Sequence, residues 1–264
     1  MIHQCKKDQE IYRFHIEIGL DYLSCIFPVT GTTKLVSNNL CYKHNITAKM
    51  QDKEICKQID TRMQNKKLLD EFAKIKDLLS LQEFANDFDH FPFANAAKKL
   101  VFGAGKPNGL MIVGDMPSIY DEQSGQPFSD VDINKLLTDM LKAIHIEIKN
   151  CYITNILLHR YNRIDNRGLL SKIATYKEFL IKHIALVQPK AILLMGKLPV
   201  SSIFNINSII NARKQHLFYD NNGYQIPVVA TYHPEMLLKG IESKKFAWND
   251  LQILRNKIIK LNVL

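Results

Sequence analysis

Apolar and polar positions follow two different rhythms along this chain. Residues 9 to 25 carry apolar side chains at helical spacing, with Ile11, Phe14, Ile18, Leu20, Tyr22 and Leu23 marking one face. Residues 28 to 60 are polar and punctuated by Thr-Gly-Thr-Thr and Ser-Asn-Asn, which predicts a mobile linker. Helical spacing returns over 60 to 86 through Leu68, Leu69, Phe72, Ile75, Leu78 and Leu79. Beyond Leu100 the pattern changes. Short apolar runs at 110–114, 151–155, 190–195 and 227–231 now alternate with amphipathic stretches at 132–145, 169–187, 197–205 and 243–260. Strand-length runs alternating with helical ones predict βαβ units and a parallel sheet, joined by right-handed crossovers. The expected fold class is α/β. It is a three-layer α/β/α arrangement with a central, mainly parallel four-stranded sheet, plus an N-terminal helical extension. The extension takes residues 1–90, with the polar linker near 28–60, and the sheet-bearing domain takes residues 91–264.

Parallel strands present all their carboxyl ends on one rim, and ligands of open α/β sheets bind there. The residues at those ends are therefore the candidates for chemistry. Gly114-Asp115-Met116-Pro117 follows the first run and leads to Gly125-Gln126-Pro127-Phe128. Asn155 closes the second run, and Thr231-Tyr232-His233-Pro234 closes the last. Asp115 offers a carboxylate that can orient water or counter a developing cation, or serve as a turn or helix-cap residue. Phe128 lies in a loop, where an aromatic ring can stack on a planar ligand or fold back onto the core. Asn155 carries a donor and an acceptor in one plane, fit to read a base edge or to satisfy a turn. His233 precedes a proline, which biases it to extended backbone and projects its imidazole off the rim. The set suits a flat, polar ligand that stacks, such as a nucleobase.

Charge narrows the partner class only a little. The chain of 264 residues holds 35 Lys and Arg against 26 Asp and Glu, a net charge of +9 that fits a polyanion or a soluble basic surface. Its 5 cysteines are widely spaced and form no C-x-x-C pair, which argues against a disulfide framework or a zinc knuckle. A reducing cytoplasm is the simplest compartment. The first residues are polar, with no signal-peptide core, and no apolar run reaches the length of a membrane span.

Six blocks in order make the span from about Leu100 to Leu254 resemble the uracil-DNA glycosylase superfamily, specifically its iron–sulfur type (family 4). They are Gly114 to Ser118, Gly125 to Phe128, Ile153-Thr154-Asn155, Pro189-Lys190-Ala191-Ile192, Thr231 to Leu238, and Lys244 to Leu251. The resemblance implies a DNA-repair hydrolase that cleaves the N-glycosidic bond of uracil in DNA. It implies that backbone around Gly114 and Asp115 contacts the uracil carbonyl and that Phe128 stacks on the flipped base. Asn155 would read the base edge, and His233 would donate to the oxygen of the leaving anion. Leu237 would enter the space left in the duplex, with Arg160, Arg163 and Lys244 near the DNA backbone.

The departures from the family pattern shape the remaining expectations. Asp115 stands where the family has Glu, and Ser118 where it has Gly, which can crowd the pocket. The segment after Phe128 adds Asp130 and Asp132, two carboxylates near a DNA path. Four cysteines hold the family's iron–sulfur cluster. The corresponding positions here are Phe88, Phe91, His159 and Tyr176. The expectation is a protein without cluster, metal or other cofactor, in which bulky rings fill the cluster's space. Its expected partner is uracil-containing DNA, with no membrane association and a monomeric state. Two other readings stay open: a catalytically weak or inactive member that binds DNA or a protein, and a glycosylase for another deaminated base such as hypoxanthine.

Overall fold

The computed structural model describes residues 68–88, 90–91, 99–161 and 169–261. The expected helix over 9–25 and the linker at 28–60 lie outside the described residues, as does Arg163. In chain order, residues 68–74 are helical and are followed by α1 (Leu78–Asp87), β1 (Ala104–Gly105) and β2 (Leu110–Gly114). Next come α2 (Ile119–Ser124), α3 (Val131–Lys142), β3 (Cys151–Asn155), α4 (Leu169–Val187) and β4 (Ala191–Met195). The chain continues through α5 (Lys197–Phe204), α6 (Ile209–Arg213), β5 (Leu217–Asn221), β6 (Tyr224–Thr231), α7 (Pro234–Lys239) and α8 (Ile241–Lys260).

The four predicted apolar runs are the four parallel strands β2, β3, β4 and β6. Every residue of β2, β3 and β4 is buried, as expected of parallel strands covered by helices on both faces. The sheet nevertheless has six strands, in the order β1-β3-β2-β4-β6-β5. The two additions are antiparallel edges, β1 on β3 and β5 on β6. Residues β5 and β6 are joined by Asn222 and Gly223, both at positive φ (55° and 88°), the conformation of a type I′ hairpin turn.

Chain direction across the sheet reverses once. The crossover from β2 leads outward to β3, whereas those from β3 and β4 lead to β4 and β6 on the other side. Right-handed connections then put α3 and α4 on opposite faces. Helix α3 packs against α7 and α8, while α4 packs against α1 and α5. The reversal opens a crevice between the carboxyl ends of β2 and β4, the place where such sheets bind ligands.

The helical spacing over 60–86 is interrupted within the described residues. Asp77 caps α1, its Oδ1 accepting the Ser80 N–H at 2.8 Å, which separates α1 from the turns over 68–74. Lys182 Nζ donates to the Ile75 carbonyl at 2.8 Å, taking up a backbone group freed by the break. The compact unit bearing the sheet spans Leu68–Asn162 and Arg167–Leu264. No helix among the described residues is long and apolar enough to cross a membrane.

Candidate active site

The site begins at the end of β2. Gly114 is the register partner of Asn155 on β3, so the Asn155 side chain rises on the face where Gly114 has none. A Cβ at Gly114 would collide with the Asn155 amide oxygen and lie 2.6 Å from Phe128 Cζ. Glycine is thus required for the ring and the amide to share this floor. Asn155 is 2% exposed, and among the described residues neither Oδ1 nor Nδ2 has a hydrogen-bond partner. Leaving a buried polar group unpaired costs about 1–3 kcal/mol, and such a group calls for an explanation. A ligand edge offering one acceptor and one donor explains it. The Gly114 and Asp115 carbonyls are committed to the Ile156 and Leu157 N–H groups at 2.9 and 3.1 Å.

Phe128 is buried and held at a φ of 56°, a left-handed conformation that is strained for a bulky residue. Its loop is over-determined. Asn134 Nδ2 donates to the Phe128 carbonyl at 3.0 Å, and the Ser129 N–H donates to Asp121 Oδ1 at 2.6 Å. Asp121, itself buried, closes a capping box with Ser118: the Ser118 N–H reaches Asp121 Oδ2 at 2.9 Å, and the Asp121 N–H reaches Ser118 Oγ at 3.1 Å. Ser118, expected to crowd the pocket, spends its hydroxyl on this cap. Asp130 likewise caps α3 by accepting the Asp132 and Ile133 N–H groups.

The Phe128 ring lies 5.2 Å from the His233 ring, at 32°. His233 is extended (φ −65°, ψ 141°) and caps α7, with Nδ1 accepting the Glu235 N–H at 3.3 Å. With Nδ1 accepting, a neutral ring carries its proton on Nε2.

Asp115 stands in the crevice between β2 and β4. Its Oδ1 accepts the Leu198 N–H at 3.2 Å, in the first turn of α5. The carboxylate lies over Gly196, where a Cβ would come within 2.7 Å of the Asp115 Cγ. Gly196 also has a φ of +108°, so the position is doubly restricted to glycine.

The residues expected at the DNA divide. Leu237 is 2% exposed and faces the core, whereas its neighbour Leu238 is 46% exposed. The expected wedge side chain is therefore turned inward, because α7 places Leu237 on its packed face. Arg160 Nε pairs with Glu122 Oε2 at 2.7 Å, and Glu122 is buried, so this cation is held by the protein. Lys244 is exposed on α8.

The four residues that the resemblance sets at the cluster-ligand positions, Phe88, Phe91, His159 and Tyr176, converge. Phe91 lies 4.9 Å from Phe88, 5.0 Å from His159 and 4.7 Å, stacked, from Tyr176. His159 Nδ1 and the Tyr176 hydroxyl are hydrogen-bonded at 3.1 Å. Phe179 adds its ring 4.5 Å from Phe91, and Phe72 and Phe84 pack on Phe179 in turn. Burial pushes the His159 imidazole down to about 4 against the pull of Glu122, which keeps it neutral. These residues do not fit an iron–sulfur cluster: two carry no ligand atom, none carries a thiolate, and the rings are in mutual contact. Among the described residues no group of three or more His, Cys, Asp or Glu is placed to hold a metal ion.

Sequence reasoning missed Gly196, Asp121 and the pair Arg213–Asp250 described below. Gly196 had a signal, since it closes an apolar run as Gly114 does.

The match to known proteins covers this same region. The family model described as the Uracil DNA glycosylase superfamily matches residues 102–252. A type-4 uracil-DNA glycosylase of Pyrobaculum aerophilum is 27% identical over 174 residues, which cover 62% of this chain and 85% of that relative. The type-4 uracil-DNA glycosylase of Sulfurisphaera tokodaii is 29% identical over 166 residues, 60% of this chain and 74% of its own length. That of Archaeoglobus fulgidus is 28% identical over 136 residues, covering 49% and 66%.

Proposed function

Because the chain belongs to the uracil DNA glycosylase superfamily, we propose that it is a DNA-repair hydrolase cleaving the N-glycosidic bond of uracil in DNA. The observation that carries this reading is the buried, unpartnered Asn155 amide beside the Phe128 ring and the His233 cap. An enzyme acting on a base in a duplex must first take it out of the stack. Phe128 then supplies a stacking face. The Asn155 amide meets the donor–acceptor edge of uracil; the reversed edge of cytosine would leave it mispaired, which is a strong basis for discrimination. As the bond from C1′ to the base breaks, its electron pair leaves with the base. His233 Nε2–H stabilises the oxygen on which that charge collects. Asp115 supplies negative charge near the sugar cation and orients the water that adds to C1′.

Incubation with an oligonucleotide carrying one uracil, followed by alkali, should give a single cleavage product. Oligonucleotides carrying hypoxanthine or no lesion should stay intact. Cleavage at hypoxanthine alone would replace this reading with that of a glycosylase for another base.

One observation favours a second reading, a family member that binds DNA but turns over weakly. The Asp115 carboxylate is already engaged by the Leu198 N–H and packed on Gly196. Asp115→Glu would carry the carboxylate one methylene further and should raise single-turnover excision, whereas Asp115→Asn should lower it. Equal rates for both variants and the parent would deny Asp115 a catalytic part.

A further inference from the structure

His233 caps α7 and stands two residues beyond the end of β6. Its ring is fixed by the Glu235 N–H and the Phe128 face, and its backbone follows Thr231 and Tyr232 off the end of β6. Both of those residues are fastened to one buried ion pair. Thr231 Oγ1 donates to Asp250 Oδ2 at 2.8 Å. Arg213 donates to the same carboxylate through Nε at 2.6 Å and Nη2 at 2.9 Å. The Arg213 guanidinium also lies 4.9 Å from the centre of the Tyr232 ring. On the other side, the Thr231 carbonyl accepts the Gly196 N–H at 2.9 Å, and Gly196 is the residue on which Asp115 rests.

We propose that Asp250 and Arg213, acting through Thr231, are positioning residues that set the place of His233 in the site. The inference rests on the reading of His233 as the donor to the leaving base. Stability alone is a weak reason for this pair. Two charges buried at side-chain exposures of 3% and 10% sacrifice hydration that apolar side chains would not need. What the pair does that apolar residues cannot is impose direction: a two-bonded carboxylate accepts the Thr231 hydroxyl along one line. A displacement of about 1 Å at a catalytic group can lower a rate by about 10²-fold, so a strand end two residues from His233 has much to gain from such a fix.

The test is a double-mutant cycle. Thr231→Val removes the hydroxyl and keeps the ion pair, Thr231→Ser restores the hydroxyl, and Asp250→Asn weakens the pair itself. In the parent chain, Thr231→Val should slow single-turnover excision by about 10-fold or more, and Thr231→Ser should recover most of it. In a His233→Ala background the same Thr231→Val change should have less than about a two-fold effect, because its target is gone. An equal loss in both backgrounds would overturn the inference and leave the pair with a general structural role. Thr231→Val keeps the test open should Asp250→Asn fail to fold. Histidine ring resonances give an arm that needs no activity: Thr231→Val should shift those of His233 and leave those of His183 in place. Unmoved His233 resonances count against positioning. A parent chain inactive on every base sinks the functional reading alone, and the resonances then decide this one.

Discussion

At the scale of single residues, the site holds tension that the fold does not relieve. The Asn155 amide is buried without hydrogen-bond partners among the described residues, and Phe128 is held in a left-handed backbone conformation. Both cost the folded chain energy. Asn155→Ala should therefore lower uracil excision by about 10²-fold or more while leaving Tm unchanged or higher, since the unpaired amide goes with the activity. A clear fall in Tm alongside the lost activity would show the amide to be structural. A second single-residue prediction concerns pH. His183 is buried, bonded through Nε2 to the Tyr152 hydroxyl at 2.7 Å, and burial pushes it from 6.5 down to about 3. The unfolded chain takes up a proton as pH falls below about 6.5, and the folded chain does not. Stability from this group is therefore full above that value and falls on acidification, by up to about 1.4 kcal/mol per pH unit, until the folded value near 3 is reached. Tm measured between pH 7 and 4 should decline less steeply in His183→Gln, which keeps a hydrogen-bonding partner for Tyr152 but does not titrate. Parallel curves would refute this. The candidate residues were legible because each closes an apolar run or sits in a turn-rich motif. The pairing of Arg213 with Asp250 was not, although Asp250 lies in the Lys244 to Leu251 block: they are 37 positions apart, and no local pattern announces a pair made only by folding.

At the scale of elements, the buried parallel strands were the most readable part of the chain, because strands covered on both faces are short continuous apolar runs. The edges were not. β1 is only Ala104–Gly105, too short for any period, and β5 alternates buried and exposed residues weakly. Its signal lay instead in Asn222-Gly223, the dipeptide preferred by two-residue hairpins. Orientation of short helices was the other gap. The resemblance put Leu237 at the DNA, whereas a leucine there is by residue type more often core; the packing of the six-residue α7 against α3 and α8 buries Leu237 and exposes Leu238. Leu237→Ala should destabilise the protein by about 2–5 kcal/mol, as for a core leucine, whereas Leu238→Ala should leave Tm nearly unchanged. Thermal melts of the two variants check this, and a stable Leu237→Ala protein would mean that the residue is not part of the core.

At the scale of the whole molecule, rings gather at the positions where the resemblance would place a metal cluster. Phe88, Phe91, His159 and Tyr176 meet one another, and Phe179 of α4 ties them to the ring of Phe84 on α1. The purified protein is expected to be colourless and free of iron and sulfide, with a Tm unmoved by chelators. Stoichiometric iron with a visible absorption band would contradict it. The α/β/α plan was readable from rhythm alone; this convergence was legible only through the resemblance, because it depends on segments distant in sequence meeting in space.

The ring cluster also bears on how such a protein comes into being. A domain held together by a metal cluster waits, after synthesis, for other proteins to build and deliver that cluster. A domain held by phenylalanines carries its own fastening in its sequence. For this chain the expectation is an assembly that finishes when the chain folds, so the yield of folded protein should be the same from iron-replete and iron-depleted cells.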